Sequence, residues 1–206
     1  MHPNHSFRQT SRSENIAFAR DRGFGILAAA SKRDPLASHI PFLLSEDGEV
    51  VEFHLVRSNP IARMPDVPIH ARLVVHGPHS YVSPDWYGIE NQVPTWNYVA
   101  VHLTGEVEPL SADKLRDILE RQSAYHESGL APKPPWTVEK MDPDVLNKLM
   151  RQIVPYQMKV SDIQGTWKLN QNKPVSARMQ AADEVRKYGQ GQEMELLSSF
   201  MRQPPQ

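Results

Sequence analysis

The sequence predicts an α+β fold in which five to seven short antiparallel strands, with helices inserted among them, curl into a closed or split β-barrel. Three observations carry this. Runs rich in β-branched and aromatic residues recur between turn signals, and two of them alternate apolar with polar residues. One pair of runs is joined by Ser45-Glu-Asp-Gly48 alone, which is too short for the crossover that parallel pairing needs. Closing such a set of strands on itself removes its exposed edges.

The elements follow in chain order. Ser11 stands three residues before Glu14 and ahead of Ile16, Ala17, Phe18 and Ala19, a capping-box spacing that predicts a short helix ending at Gly23. Strands are expected at 25–30, 36–44, 50–56, 69–76 and 96–107, separated by turns such as Lys32-Arg-Asp-Pro35 and Ser45-Glu-Asp-Gly48. In Val51-Glu-Phe-His-Leu55 and in 69–76 the apolar side chains fall mainly on alternate positions, as in strands with one buried face. Ser111 can cap a second helix with Leu115, Ile118, Leu119, Gln122 and Tyr125 as one stripe. Gly129-Leu-Ala-Pro-Lys-Pro-Pro135 reads as an extended linker, after which Asp142-Pro143 opens a third helix through Val145, Leu146, Leu149 and Ile153. Tyr156-Gln-Met-Lys-Val160 returns to the sheet as a sixth strand that runs on to Trp167-Lys-Leu169. Helix-favouring residues dominate from Ser176, and the end, Arg202-Gln-Pro-Pro-Gln206, is expected to fray. The organisation expected is one domain over 1–182, with helices inserted at 111–153, and a polar helical tail over 183–206.

Composition narrows the function. With 206 residues, 39% hydrophobic and 23% charged, the chain can enclose a core and is not a disordered segment. A formal charge of -1 gives no overall attraction for nucleic acid or acidic membranes. The absence of cysteine excludes disulfides, thiolate metal sites and cysteine nucleophiles, so redox work needs a borrowed cofactor. There is no basic start followed by a long apolar run and no stretch near the ~20 apolar residues of a membrane span, so a cytoplasmic protein is expected.

Nine histidines raise the question of a metal, but none forms His-Glu-x-x-His or another spacing that sets ligands on one helical face. His70, His76, His79 and His102 remain open to the alternative of hydrogen-bonded strand residues. No Gly-x-Ser-x-Gly elbow surrounds Ser38, Ser80 or Ser83, and neighbours such as Ser38 and His39 point to opposite faces of a strand, which argues against a hydrolytic triad. Gly-x-x-x-x-Gly-Lys and Gly-x-Gly-x-x-Gly are both missing. Val56-Arg-Ser-Asn-Pro60 places a basic residue at a strand end before a capped helix start, which suits a phosphate and equally suits an ordinary solvated cap. Between residues 76 and 106, Gly77-Pro78, Ser83-Pro84-Asp85 and Val93-Pro94 force a rigid excursion between strands. Trp86, Tyr87, Trp96 and Tyr98 there supply flat surfaces for a planar ligand or a dimer seam, or else an aromatic core corner.

Several blocks together resemble one family, the PaiB-type proteins, described as FMN-binding negative transcriptional regulators and related to the FMN-binding split barrels of the pyridoxamine phosphate oxidase group. The blocks are Ala37-Ser-His-Ile-Pro41, Phe53-His-Leu-Val-Arg-Ser-Asn-Pro60, His76-Gly-Pro-His-Ser-Tyr-Val-Ser-Pro-Asp-Trp-Tyr87, Val93-Pro-Thr-Trp-Asn-Tyr-Val-Ala-Val-His102 and Trp167-Lys-Leu-Asn-Gln-Asn172, in family order from about residue 1 to 182. The resemblance implies a six-stranded antiparallel split β-barrel with peripheral helices, binding FMN as a homodimer with flavin sites at the subunit interface. On that pattern Arg57, Ser58 and Asn59 would hold the FMN phosphate, and Ser38, His39 and Pro41 would line the ribityl chain and ring. Trp96, Asn97, Lys168, Gln171 and Asn172 would approach the ring from the partner side, with Lys168 near N1 favouring the reduced anion. Where the family usually shows Lys-x-Ser-Gln-Asn, this chain has Lys168-Leu-Asn170-Gln-Asn172, a bulkier side chain at the middle position.

The functional expectation is a flavin-dependent regulatory or redox-sensing protein. Its alternatives are a flavin oxidoreductase and a haem-binding or cofactor-free relative. Direct DNA binding would need a surface made by dimerisation, since no helix-turn-helix pattern, basic arm or positive net charge is present.

Overall fold

A computed structural model describes residues 2–32, 34–65 and 67–205. Its helices are α1 (Arg12–Arg22), α2 (Lys114–Ser128), α3 (Pro143–Met150), α4 (Val175–Tyr188) and α5 (Met194–Arg202). Its strands are β1 (Phe24–Ala30), β2 (Pro35–Leu44), β3 (Val50–Val56), β4 (Ile69–Val82), β5 (Thr95–Pro109), β6 (Ile153–Lys168) and the two-residue β7 (Gly191–Gln192). The sheet order is β1-β2-β3-β6-β5-β4-β7, and β1 also pairs with β4, so six strands form a ring to which β7 adds. The fold is thus the α+β, six-stranded antiparallel arrangement that the sequence predicts. The chain divides into two compact units, one of Ala19–Val74 and Leu103–Asp162, the other of Met1–Phe18, Val75–His102 and Ile163–Gln206.

In the first of these units, β1 pairs antiparallel with β2 from Phe24↔Pro41 to Ala30↔Pro35, and with β4 from Ile26↔Val74 to Ala29↔Ala71. The expected hairpin joins β2 to β3: Ser45 N–H donates to Val50 O at 2.9 Å, and Gly48 takes a positive φ of 75° that glycine adopts without strain. The alternation read in β3 is real, with Val51, Phe53 and Leu55 buried and Glu52 and His54 on the other face. Phe53 stacks on Tyr156 across the antiparallel β3–β6 pair at 5.7 Å. Outside that core, Glu52 receives a two-pronged bond from Arg121 of α2 at 2.8 and 3.1 Å, which seats the helix on β3. At the 31–34 turn Ser31 Oγ accepts from Asp34 N–H at 3.0 Å, while Arg33, inside the expected turn, lies outside the described residues.

Several expectations are corrected here. The N-cap of α2 is Asp113 rather than Ser111; Ser111 O accepts from Lys114 N–H at 3.1 Å in the turn that leads into the helix. Where an extended linker was expected over 129–135, residues 129–132 form turns, with Leu130 N–H donating to Glu127 O and Lys133 N–H to Leu130 O, and only Pro134-Pro135 is free of them. Asp142 does cap α3, accepting from Asp144 and Val145 N–H at 2.9 and 3.1 Å, but α3 buries nothing: Val145 and Leu149 are 49% and 48% exposed, and Ile153 begins β6 instead. Pro60 opens only a three-residue 3-10 turn, Ile61–Arg63, and no α-helix follows.

In the other unit α1 begins at the predicted cap, where Glu14 N–H donates to Ser11 Oγ at 3.2 Å. Gly77-Pro78 does not turn the chain; β4 runs through it to Val82, since the pair lies where Phe18 and Val99 press so close that a Cβ on Gly77 would stand 2.6 Å from the Phe18 ring. Trp167 is the centre of this unit's core, edge-on to Phe18 at 5.1 Å and to Phe200 at 5.2 Å. Its Nε1 donates to the buried Asn15 Oδ1 at 2.9 Å, and Asn15 Nδ2 donates to Thr10 O and Ser11 O. α5 packs on α4 through Leu197 and Met201, and Ser198 Oγ donates to Ala182 O at 2.7 Å.

Asn15 therefore satisfies one buried donor and uses both ends of its amide. Asn15→Ala leaves Trp167 Nε1 without an acceptor, and a loss of about 2 kcal/mol or more is expected in urea unfolding. A change below about 0.5 kcal/mol would show that the pair is immaterial.

Candidate cofactor site

The expected site residues fall into two groups, one in each unit. In the unit that holds β1 to β3, the chain leaves β3 at Val56 and is caught at once: Arg57 N–H donates to Gln152 O at 2.9 Å and Arg57 Nε to Arg151 O at 2.6 Å. Asn59 then acts as a staple. Its Oδ1 accepts from Ile61 N–H at 2.9 Å, and its Nδ2 donates to Ser38 Oγ at 2.9 Å, tying the turn to the middle of β2. Arg57 and Ser58 are left exposed, and among the described residues no carboxylate pairs with Arg57 and nothing accepts from Ser58 N–H or its hydroxyl. The result is a fixed turn presenting a cation and two free donors, without the helix that the sequence suggested behind it.

Ser38 shares its face of β2 with the buried Ile40 and Phe42, while His39 and Pro41 lie on the other face. There His39 stacks on Phe24 at 6.3 Å, beside the Phe24↔Pro41 pair. The structure thus brings Ser38 to Asn59 and separates it from His39 and Pro41.

In the other unit Lys168 ends β6 with its Nζ donating to Thr95 Oγ1 and standing 5.9 Å over the Phe7 ring. Burial holds its ammonium below the ordinary lysine value of 10.5. Gln171 is occupied by its own turn: Nε2 donates to Trp167 O and Oε1 accepts from Leu169 N–H at 2.8 Å. Asn170 occupies the left-handed region at φ 63°, which asparagine tolerates better than most residues, and its Oδ1 accepts from the buried Tyr87 hydroxyl at 3.3 Å. Burial raises the Tyr87 pKa, and the bond to Asn170 partly offsets this. Asn172 is exposed.

Trp96 and Asn97 are neighbours on β5 and face opposite ways. Trp96 is 49% exposed, tilted against His79 at 5.9 Å and edge-on to Tyr81 at 6.4 Å, which in turn meets Trp86 at 6.5 Å. Asn97 is fully buried, and neither end of its amide has a partner among the described residues. Both sequence readings of the aromatic stretch therefore hold in part: Tyr87 is core, whereas Trp86 and Trp96 belong to a row of surface rings. Thr95 is the functional candidate that sequence reasoning passed over. It stands in the quoted block beside Trp96, and only its bond to Lys168 gives it a role. Among the described residues no group of three or more His, Asp or Glu could hold a metal ion, and no helix is long and apolar enough to cross a membrane.

Comparison with known proteins adds independent findings. Residues 1–162 match the family described as "Putative FMN-binding domain". The protease synthase and sporulation protein PAI 2 of Bacillus subtilis is 31% identical over 185 residues, spanning 87% of this chain and 86% of that protein. Among solved structures, the FAD and heme binding protein from Mycobacterium smegmatis superposes with a TM-score of 0.58 at 15% identity, covering 90% of this chain and 82% of that one. The flavocytochrome Anf3 from Azotobacter vinelandii gives a TM-score of 0.58 at 12% identity over 81% and 72%. At these identities the two structures show likeness of fold alone.

The half-buried Lys168 has a pH signature. Because its folded pKa lies below 10.5, the unfolded chain holds more protons between the two values, and stability rises with pH across that window. The stability of the wild type relative to Lys168→Met is expected to climb as pH is raised through the folded value towards 10.5 and to stay level below it. Denaturant titrations over a series of alkaline pH values check this, and a constant difference throughout would contradict it.

Proposed function

The chain belongs to the FMN-binding domain family that its first 162 residues match, and from that premise we propose that it is a homodimeric flavoprotein with a regulatory or redox-sensing role. FMN is the cofactor of this family, and the fold is the split barrel of flavin-binding proteins. The observation that carries the reading is the turn at Arg57, Ser58 and Asn59. A phosphate dianion needs a cation and free N–H or O–H donors held in place, and this turn supplies a guanidinium held by Arg151 O with no carboxylate beside it among the described residues, the Ser58 donors and an asparagine locked to Ser38. The residues present fit the phosphate end of FMN.

When bound, the flavin would supply one- and two-electron chemistry, with the protein setting its potential through nearby charge and hydrogen bonds. Of the remaining candidates, Lys168 answers that need best. Burial disfavours its charge, so an anionic group brought to it relieves the penalty, and a reduced flavin is such a group. Trp96 offers an exposed flat ring with a row of aromatic neighbours to hold it upright. Following the family pattern, a second copy of the chain supplies Trp96, Lys168 and Asn172 to the flavin whose phosphate the first copy holds. An apolar outer face on the β1–β2 pair supports association with a second copy: Phe24, Ile26 and Ala28 lie opposite Pro41, His39 and Ala37, with Phe24 52% exposed. The regulatory class rests on the Bacillus subtilis relative, whose name ties it to protease synthesis and sporulation. Contact with DNA, if part of that role, would use a surface of the dimer, because the chain's net charge of -1 gives no attraction by itself.

Freshly isolated protein, before any FMN is added, is expected to be yellow, to release FMN on denaturation, and to sediment as a dimer. A colourless monomer that takes up no FMN would remove the proposal. Arg57→Ala is expected to weaken FMN binding about ten- to a hundredfold, the scale of a lost charge-assisted bond, measured by quenching of flavin fluorescence. Unchanged affinity would take Arg57 out of the phosphate site.

A further inference from the structure

A second place in the molecule is rich in polar groups that the fold does not use. In the unit containing α4 and α5, a cavity of about 550 Å³ lies between the N-terminal segment, α4 and the residues after α5. Arg178 of α4 lines it, with its Nε buried and without a partner among the described residues. The acids of the same helix are engaged elsewhere, Asp183 with Arg202 and Glu184 with Lys187, and no carboxylate among the described residues lines the cavity. Around the guanidinium stand Ser6, Gln9, Thr10 and Gln203, whose side chains make no hydrogen bond among the described residues. Gln171 also touches the cavity, but its amide is held by Trp167 O and Leu169 N–H. Pro204 and Pro205 complete the wall with apolar rings that have no N–H to offer.

A partly buried cation without a counter-ion is costly, and neutral donors and acceptors left unpaired beside it add to the cost unless a guest or water meets them. One positive charge among neutral groups matches a guest with one negative charge. A dianion such as phosphate would bring a second charge into this partly buried place, where water balances it less than at the exposed Arg57 turn. We propose that this cavity binds a small organic monocarboxylate, its carboxylate paired with the Arg178 guanidinium and its hydroxyl or amide groups set against Gln9, Thr10 and Gln203. The volume lies within the range of small-molecule sites. None of the residues assigned to the phosphate end of FMN lines the cavity, and Gln171, expected at the flavin ring, touches it with an amide already held by its own turn, so the pairing at Arg178 does not depend on the flavin.

The test uses the full-length protein as isolated and lactate as the probe, observed by saturation-transfer NMR at constant ionic strength, with acetate and inorganic phosphate as comparisons. Lactate is expected to bind more tightly than either, Arg178→Gln to weaken it about tenfold or more, and Arg178→Lys to weaken it less because the charge stays while the fork is lost. Gln203→Ala is expected to reduce lactate binding more than acetate binding. FMN content and circular dichroism matching the wild type establish that each variant is folded. Equal lactate affinity in Arg178→Gln, or tighter binding of phosphate than of lactate, overturns the proposal. Should Arg178→Gln not fold, unchanged lactate affinity in both Arg178→Lys and Gln203→Ala overturns it equally.

Discussion

The pairing of β1 with β4 turns a row of strands into a ring, and the placement of the Arg57 to Asn59 turn follows from it. Ile26 to Ala29 hold Val74 to Ala71 on one side of β1, while the other side carries Pro35 to Pro41 of β2. Nothing larger than hydrogen fits at Gly25, where a Cβ would stand 2.8 Å from Val74 O. With both sides of β1 engaged, β2 has one register, and Ser38 has one position along it. Asn59 is bonded to that serine, and the turn presenting Arg57 and Ser58 is bonded to the ends of β3 and β6 through Gln152 and Arg151. A strand that slipped by one residue would turn Ser38 to the face of His39 and release the staple.

The same structure separates polar groups that build the fold from polar groups left over for a guest. Asn15, Asn59, Gln171 and Ser198 each bond to backbone or to another buried side chain. Their roles are complete without a ligand. Arg57, Ser58 and Arg178 have cationic or donor atoms with nothing opposite them among the described residues, and the amide of Asn97 is buried with neither end met. Native interiors rarely keep buried groups such as Arg178 Nε and the Asn97 amide unmet, because each unmet bond there costs about 1–3 kcal/mol, whereas Arg57 and Ser58 are exposed to water. The fixed turn at Arg57 and the cavity at Arg178 are places where such groups carry a positive charge that a guest could meet.

Most of the framework was legible in the sequence because it rests on local rules. The capping box at Ser11 and Glu14, the Ser45 to Gly48 hairpin, the alternation in β3 and the Asp142 cap depend on spacings of a few residues, and each appears where those spacings put it. The errors arose where distant packing overrides local preference. Gly77-Pro78 reads as a turn, yet β4 continues through it under Phe18 and Val99. The helix opened by Asp142-Pro143 reads as running through Ile153, yet α3 stops at Met150 because Ile153 is taken up by β6 in its pairing with β3. Of the site, the Arg57 to Asn59 turn was visible as residue chemistry, whereas the helix expected behind it was not formed. The bonds to Ser38, the role of Thr95 and the opposed directions of Trp96 and Asn97 emerge only when strands are laid side by side.

The central claim is that the Arg57 to Asn59 turn recognises the phosphate of a flavin mononucleotide, and comparing FMN with riboflavin isolates that claim because the two differ by the phosphate alone. Titrations followed by flavin fluorescence should give FMN an affinity about a hundredfold above that of riboflavin, the scale of one or two charge-assisted bonds, with the advantage collapsing when Arg57 is replaced. Equal affinities for the two flavins in the wild-type protein would contradict the account, since the turn would then hold no phosphate.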